Sequence, residues 1–298
     1  MIGLTLKHMR YFAALAQYGH FGRAAEACAI SQPALSQQIK ELEGMLGAPL
    51  VERASRQIRL TPLGTDFAER ARAILLAVDE IGELARASGG PLAGRLRMGI
   101  IPTVAPYLLP QIITALSNHF PDVELELREA VTKSLIDDLL DSRLDVAVLA
   151  LPISEPRLRE FALFTEDFVL VRPSEDAAKP VPNPETLAEM RLLLLEEGHC
   201  FRDQALAYCS MEATPARQVM EGSSLSTLVQ MVGAGMGVTL IPDMALNLET
   251  RSADVSVARF QAPSPARTIG MVWRKTTPLA DQLMQMGAIL RNVRGAAA

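Results

Sequence analysis

The chain has 298 residues, 49% of them hydrophobic and 21% charged; at about 150 residues per domain this suggests two domains with ample core material, and it excludes global disorder. No apolar run approaches the ~18 residues of a membrane span, and the first ten residues offer no signal-peptide core, so a cytoplasmic protein with no membrane partner is expected. The net charge of −5 conceals an asymmetry: residues 1–60 carry seven Lys/Arg against four acids, leaving −8 for the remainder, which suits phosphate contact at one end only. Three cysteines (Cys28, Cys200, Cys209) are too few for a disulfide scaffold, and the four histidines are scattered. Neither a metal nor a cofactor is expected.

In chain order, Leu4 to Gln17 places Leu6, Met9, Phe12, Ala13 and Ala16 at helical spacing. A short Ala-rich helix follows over residues 20–28, then a tight turn and another helix in which Leu35, Ile39, Leu42 and Leu46 share a face. Ser31 is suited to cap that helix and Pro33 to its first turn. Its other side shows Gln32, Ser36, Gln37 and Lys40. Two readings fit: a helical hairpin with a solvated polar face, or a helix-turn-helix whose Gln and Ser side chains reach base edges while Lys40 reaches a phosphate. Residues 51–61, with Arg53, Arg56 and Arg59, are suited to a small basic wing. Thr61-Pro62 opens a long helix, and Leu63, Phe67, Ala71, Ile74, Val78, Ile81 and Ala85 recur at steps of three and four. That is a seam for a dimer coiled coil or, alternatively, a helix buried in one domain. Ser88-Gly89-Gly90-Pro91 ends it as a hinge.

From Arg95 onward, strand-like runs (97–101, 123–127, 146–149, 168–172, 192–195, 238–241 and 268–273) alternate with helical ones such as 135–140, 225–235 and 279–294. The pattern is α/β, as one sheet or as two lobes around a cleft. The glycine run 233–237 lies between helix and strand, the wrong order for a dinucleotide fingerprint.

Phe21-Gly22-Arg23-Ala24-Ala25-Glu26, the run from Ser31 to Glu43, and Thr61-Pro62-Leu63-Gly64 resemble the winged helix-turn-helix and linker helix of LysR-type transcriptional regulators. The resemblance covers the whole chain. It implies an N-terminal all-α winged helix-turn-helix (1–60), a linker and dimerisation helix (61–90), and a C-terminal α/β effector domain of two lobes, like a periplasmic binding protein (lobe I 91–165 and 270–298, lobe II 166–269). It makes Ser31, Gln32, Pro33, Ser36, Gln37, Lys40, Arg53 and Arg56 candidates for DNA contact. Cys28 falls in the helix-turn-helix interior, as core packing. Promoter DNA, RNA polymerase and a homotetramer (a dimer of dimers) are the implied partners.

Residues 198–209 resemble the redox segment of the family's hydrogen-peroxide-sensing members, and residues 101–110 and 267–270 also resemble those members. Read on its own, a Cys200–Cys209 pair in one unbroken helix would be ~13 Å apart and on opposite sides, too far for a disulfide. Bonding would require refolding, which makes a switch; the alternative is two buried small hydrophobes. Cys200 stands at an expected helix start near Arg202, which favours thiolate, whereas Cys209 has no adjacent cation. The resemblance implies peroxidatic Cys200, resolving Cys209, and a peroxide pocket of Thr103, Thr132, His199, Arg202, Asp203 and Arg267. Glutaredoxin or thioredoxin would re-reduce the pair. A family member answering to a small organic effector in the cleft is the alternative. A thiol peroxidase fits less well, because the chain lacks C-x-x-C and spends some 90 residues on a DNA-reading and dimerising module.

Overall fold

The computed structural model describes residues 3–52, 58–87, 90–208 and 220–292, and the chain divides into two compact units, 1–85 and 86–298. In the first unit, helices α1 (Leu6–Tyr18), α2 (Phe21–Ala27) and α3 (Gln32–Leu46) surround Phe12, Leu15, Leu35 and Leu42, all buried. Each start has a local cause. Thr5 and His8 form a reciprocal capping box on α1, His20 Nδ1 accepts from Gly22 N at the start of α2, and Ser31 Oγ accepts from Ala34 N at the start of α3. Strands β1 (Val51–Glu52) and β2 (Arg59–Leu60) pair antiparallel as the wing, whose base is fixed by Glu43 Oε1 accepting from Leu50 N and Val51 N (2.8 and 3.2 Å).

Helix α4 (Pro62–Ala87) is capped by Thr61, whose Oγ1 accepts from Gly64 N at 3.0 Å and donates to Pro49 O at 2.9 Å. A side chain at Gly64 would place its Cβ against the Leu50 carbonyl, so this motif needs glycine for close approach rather than for an unusual φ. The seam expected along α4 divides. Phe67 packs edge-on against Phe12 in the head, with ring centroids 5.3 Å apart. Ile74, Val78 and Ile81 are exposed at 43, 36 and 65%.

The second unit begins with β3 (Gly94–Ile100), α5 (Ala105–His119), β4 (Val123–Glu129), α6 (Thr132–Leu140) and β5 (Val146–Leu151). Strands β4, β3 and β5 are parallel. Central β5 is buried along nearly its whole length, as expected for a strand covered on both faces, while β4 at the edge is mostly exposed. The sixteen-residue β6 (Leu158–Pro173) then serves both lobes. Its first part, up to Asp167, pairs with β11 (Ala266–Arg274), which in turn pairs with β5. From Phe168 onward it pairs with β9 (Thr239–Pro242) and β10 (Val255–Arg259). Between these come α7 (Pro184–Glu189), β7 (Leu193–Leu195), α8 (Cys200–Tyr208), β8 (Met220–Gly222), α9 (Leu225–Gly233) and α10 (Leu246–Glu249), with β7 and β8 parallel, and α11 (Ala280–Arg291) closes the described chain.

Two cores result. One gathers residues 92–163 and 269–290 around Trp273, Met98 and Ile112; the other gathers 168–258 around Phe168, Leu194 and Val229. The expected lobe division at 269/270 falls inside β11, which pairs along its whole length with β5 and the first part of β6. The crossing on β6 lies at 167/168. Among the described residues no helix is long and apolar enough to cross a membrane.

Candidate peroxide site and DNA-contacting face

The loops that follow β3, β4, β7 and β8 lead into the N-termini of α5, α6, α8 and α9. This is the carboxyl edge of parallel strands, where α/β sheets gather ligand sites and where unpaired helix N–H groups favour electron-rich atoms. Cys200 is the first residue of α8, half-buried and free, and it packs against the core of the other lobe, that of Trp273. Gly198, two residues earlier, has φ +96, the left-handed region that glycine tolerates. A Cβ there would lie 3.8 Å from Val131, the N-cap of α6. The loop before Cys200 therefore rests on the start of α6, where Thr132 Oγ1 is buried with no hydrogen-bond partner among the described residues. Gln204 Oε1, one turn into α8, is likewise buried and has no partner among them. Both atoms have hydrogen-bonding capacity to spare.

Thr103, on the loop after β3, is buried. Its Oγ1 accepts from Arg267 Nη1 (2.8 Å) and its carbonyl from Arg267 Nη2 (2.9 Å). Arg267, on β11, pairs through Nε with Glu166 Oε1 on β6 at 2.9 Å, both side chains fully buried. Glu166 Oε2 accepts from Met244 N at 3.2 Å. The Arg267 guanidinium lies 5.4 Å from the centre of the Phe201 ring, the residue next to Cys200, and that ring meets Phe168 edge-on at 4.7 Å. A second group sits nearby. The Tyr107 hydroxyl on α5 donates to Glu249 Oε1 on α10, and Ser226 Oγ on α9 donates to Glu249 Oε2, both at 2.5 Å. Tyr107 packs against the core of Phe168 although it belongs to the helix after β3, so this bond joins the lobes. Burial first, then the Glu249 contact, pushes the Tyr107 phenol well above its ordinary range and keeps it a donor.

The structure thus brings Thr103, Arg267, Thr132 and the start of α8 to one edge of the fold. His199 is half-buried, and burial pulls its imidazole below its ordinary value against a smaller opposing effect of Glu196, favouring the neutral ring. Two residues expected in the pocket have other surroundings. Arg202 Nη1 donates to Leu195 O (2.8 Å) and Glu221 Oε1 (2.7 Å), so this guanidinium ties α8 to β7 and β8. Asp203 is exposed on the first turn of α8, where its charge complements the helix dipole. Cys209 lies outside the described residues, as do Arg53 and Arg56.

Sequence reasoning missed Glu166, Gln204, Tyr107 and Glu249. Only Glu166 carried a local signal: Phe164, Glu166 and Phe168 occupy alternate positions of one strand, placing a carboxylate on an apolar face.

In the first unit Ser31, Gln32, Pro33, Gln37 and Lys40 are exposed along α3 and Ser36 is half-buried, opposite Leu35, Ile39 and Leu42. Glu41 holds the amides of Gln37 and Gln38 (3.2 and 2.6 Å). Cys28 is half-buried against the head core, and burial raises its thiol above the ordinary value despite Arg10.

Residues 6–65 match the model of bacterial regulatory helix-turn-helix proteins of the lysR family, and residues 89–294 match the LysR substrate binding domain. The chain belongs to the LysR family. Among LysR-type relatives, it is 42% identical over 293 residues to a probable hydrogen peroxide-inducible genes activator of Streptomyces viridosporus, covering 97% of this chain and 94% of that one. It is 39% identical over 293 residues to the DNA-binding transcriptional dual regulator OxyR of Escherichia coli, covering 97% and 95%. The full-length OxyR of Pseudomonas aeruginosa, with a cysteine replaced by aspartate, superposes with a TM-score of 0.72 at 38% identity, covering 97% of this chain and 95% of that one. A peroxide-bound cysteine-to-serine mutant of Corynebacterium glutamicum OxyR gives 0.67 at 36% identity, covering 98% and 93%. The two-lobed LysR-type architecture and the helical head are therefore common to this chain and to these regulators.

Proposed function

We propose that this LysR-type protein is a DNA-binding transcriptional regulator that senses hydrogen peroxide through Cys200. The observation that carries the reading is the convergence on one edge of the fold of a free thiol at a helix start, the unpartnered Thr132 hydroxyl, and the Thr103–Arg267 pair. The peroxide named in the relatives and in one structural neighbour supports it.

The Cys200 thiolate attacks one peroxide oxygen and the O–O bond breaks. The departing oxygen takes up a proton and leaves as water, and a sulfenic acid remains on Cys200. Thr103, Thr132, His199 and Arg267 surround this step with donors and acceptors. The Cys209 thiol then attacks the sulfenic sulfur, a second water leaves, and the disulfide holds the two electrons' worth of oxidation. Were the pair carried in one unbroken helix, the thiols nine positions apart would stand ~13 Å from each other, and closing the bond would require refolding around α8, which is the switch. Glutaredoxin or thioredoxin returns the pair to dithiol.

Residues 1–60 form the DNA-binding head, 61–90 the dimerising linker and 91–298 the sensor. Gln32, Ser36 and Gln37 face base edges and Lys40 a phosphate, with Ser31 and Pro33 at the helix start and Arg53 and Arg56 on the wing. The exposed Ile74, Val78 and Ile81 stripe of α4 suits a second copy, and a dimer of dimers engages promoter DNA and RNA polymerase in the cytoplasm. The chain acts as a stoichiometric switch and not as a turnover enzyme.

Mass-spectrometric thiol counting with and without stoichiometric peroxide, paired with promoter footprinting on the same samples, tests this. The expected result is a Cys200–Cys209 linked peptide with an altered footprint, both abolished by Cys200→Ser. Free thiols after peroxide, with DNA binding intact, would overturn the peroxide reading in favour of a small organic effector.

A further inference from the structure

We infer that Glu166 is a positioning residue for the oxidation of Cys200, acting through Arg267 on the Thr103 hydroxyl. The inference rests on the reading of Cys200 as the peroxide-reactive thiol. Glu166 takes the Nε edge of Arg267, and both terminal nitrogens are spent on the side chain and carbonyl of Thr103. A guanidinium is a rigid planar fork. With Nε pinned by a carboxylate that is itself held by Met244 N, the plane cannot rotate and the two bonds to Thr103 keep their directions. Because Thr103 Oγ1 accepts from Arg267, its own hydrogen points away from the guanidinium and is free to donate. That donor meets the peroxide oxygen that departs as the Cys200 Sγ–O bond forms and the O–O bond breaks.

The pair has a second effect. Arg267 and Glu166 are fully buried beside the Phe201 and Phe168 rings, where an unbalanced charge would act strongly. Glu166 cancels the charge of Arg267 while leaving its bonds to Thr103 in place. With the pair neutral overall and the Thr103 donor fixed, the site suits a small uncharged oxidant and gives anions no advantage. A buried ion pair is by itself weak support for stability, so its use is better sought in this geometry.

The test uses the full-length chain with Cys28→Ser and Cys209→Ser, so that only Cys200 reacts and its sulfenic acid is trapped with dimedone. Glu166→Gln keeps the size of the side chain and removes its charge. We expect the second-order rate with peroxide to fall about tenfold, the size of one misdirected hydrogen bond. Thr103→Val should cause a comparable fall, and the double variant should be no slower than Thr103→Val alone. In Glu166→Gln the rate of Cys200 alkylation by iodoacetate relative to neutral iodoacetamide should rise; in Glu166→Asp, which keeps the charge, the ratio should stay at the parent value.

Losses that multiply in the double variant, or an unchanged alkylation ratio in Glu166→Gln, overturn the inference. If Glu166→Gln does not fold, Glu166→Asp with Thr103→Val completes the same cycle. Failure of the parent protein to form any sulfenic acid would instead remove the peroxide reading, and the alkylation ratio would still report on Glu166.

Discussion

In the N-terminal unit, the polar residues read as DNA contacts stand outside a core to which they contribute little: Gln32, Gln37 and Lys40 are exposed, while Phe12, Leu15, Leu35 and Leu42 are buried beneath them. In the C-terminal unit the arrangement is reversed. Thr103, Glu166 and Arg267 are buried and bonded to one another between β6, β11 and the loop after β3. Recognition and folding are therefore separable in the head, where a polar side chain can change without disturbing what holds the helices. In the sensor they are fused, because Thr103, Arg267 and Glu166, the groups proposed to serve the thiol, also satisfy one another inside the fold.

This contrast can be broken most severely at Arg267. Arg267→Ala leaves the Glu166 carboxylate buried without its cation, and the sensor should lose about 3–5 kcal/mol in urea unfolding; a loss below 1 kcal/mol would mean that site and scaffold are not fused. In the head, Leu35→Ala should cost about 2–5 kcal/mol by opening a cavity in the core, with DNA affinity at low temperature falling only as the folded fraction falls. Gln37→Ala, on the opposite face of the same helix, should leave the melting temperature unchanged and remove about 1–3 kcal/mol of discrimination between operator sequences, read by competition footprinting. Tyr107→Phe deletes the donor to Glu249 between the lobes and should cost about 1 kcal/mol of sensor stability without altering the isolated affinity of the head for DNA.

The smallest effect is expected from His199. Its imidazole is held below its ordinary value of 6.5, so its contribution is fully present above that pH and declines as pH falls through the lowered folded value. His199→Gln should flatten that limb of the stability profile between pH 7 and 5, as followed by thermal melts.

Much of the head is legible in the sequence because its signals are local. Ser31 caps α3, Thr61 caps α4, and Leu35, Ile39 and Leu42 mark one face within fifteen residues. Phe67 is the exception: helical spacing aligns it with the exposed stripe, whereas its contact with Phe12 depends on how the chain returns to the head. The sensor's buried strands were readable as continuous apolar runs. The first part of β6 was not, since its buried and exposed positions do not alternate cleanly, and the helix over Ala105–His119 is obscured by Pro106 and Pro110. In the site, Cys200 announces itself by type and place. Glu166 and Arg267 lie 101 residues apart, and Tyr107 and Glu249 lie 142 apart; no periodicity along a chain reports a pairing made between neighbouring strands or between helices of different lobes.

The shared strand β6 also bears on the order in which the molecule can be made. The core around Trp273 needs β3 to β5 from residues 94–151 and then β11 and α11 from residues 266–291, with the other lobe's residues synthesised in between. The head is one contiguous stretch and can close as soon as it leaves the ribosome. The sensor's first three strands must wait, with β5 an uncovered sheet edge, for more than a hundred further residues to be translated before β11 arrives to seal them. Loop closure over that distance is slow, so the interval in which a nascent chain is most exposed to aggregation falls late in synthesis, after the DNA-reading head has already folded.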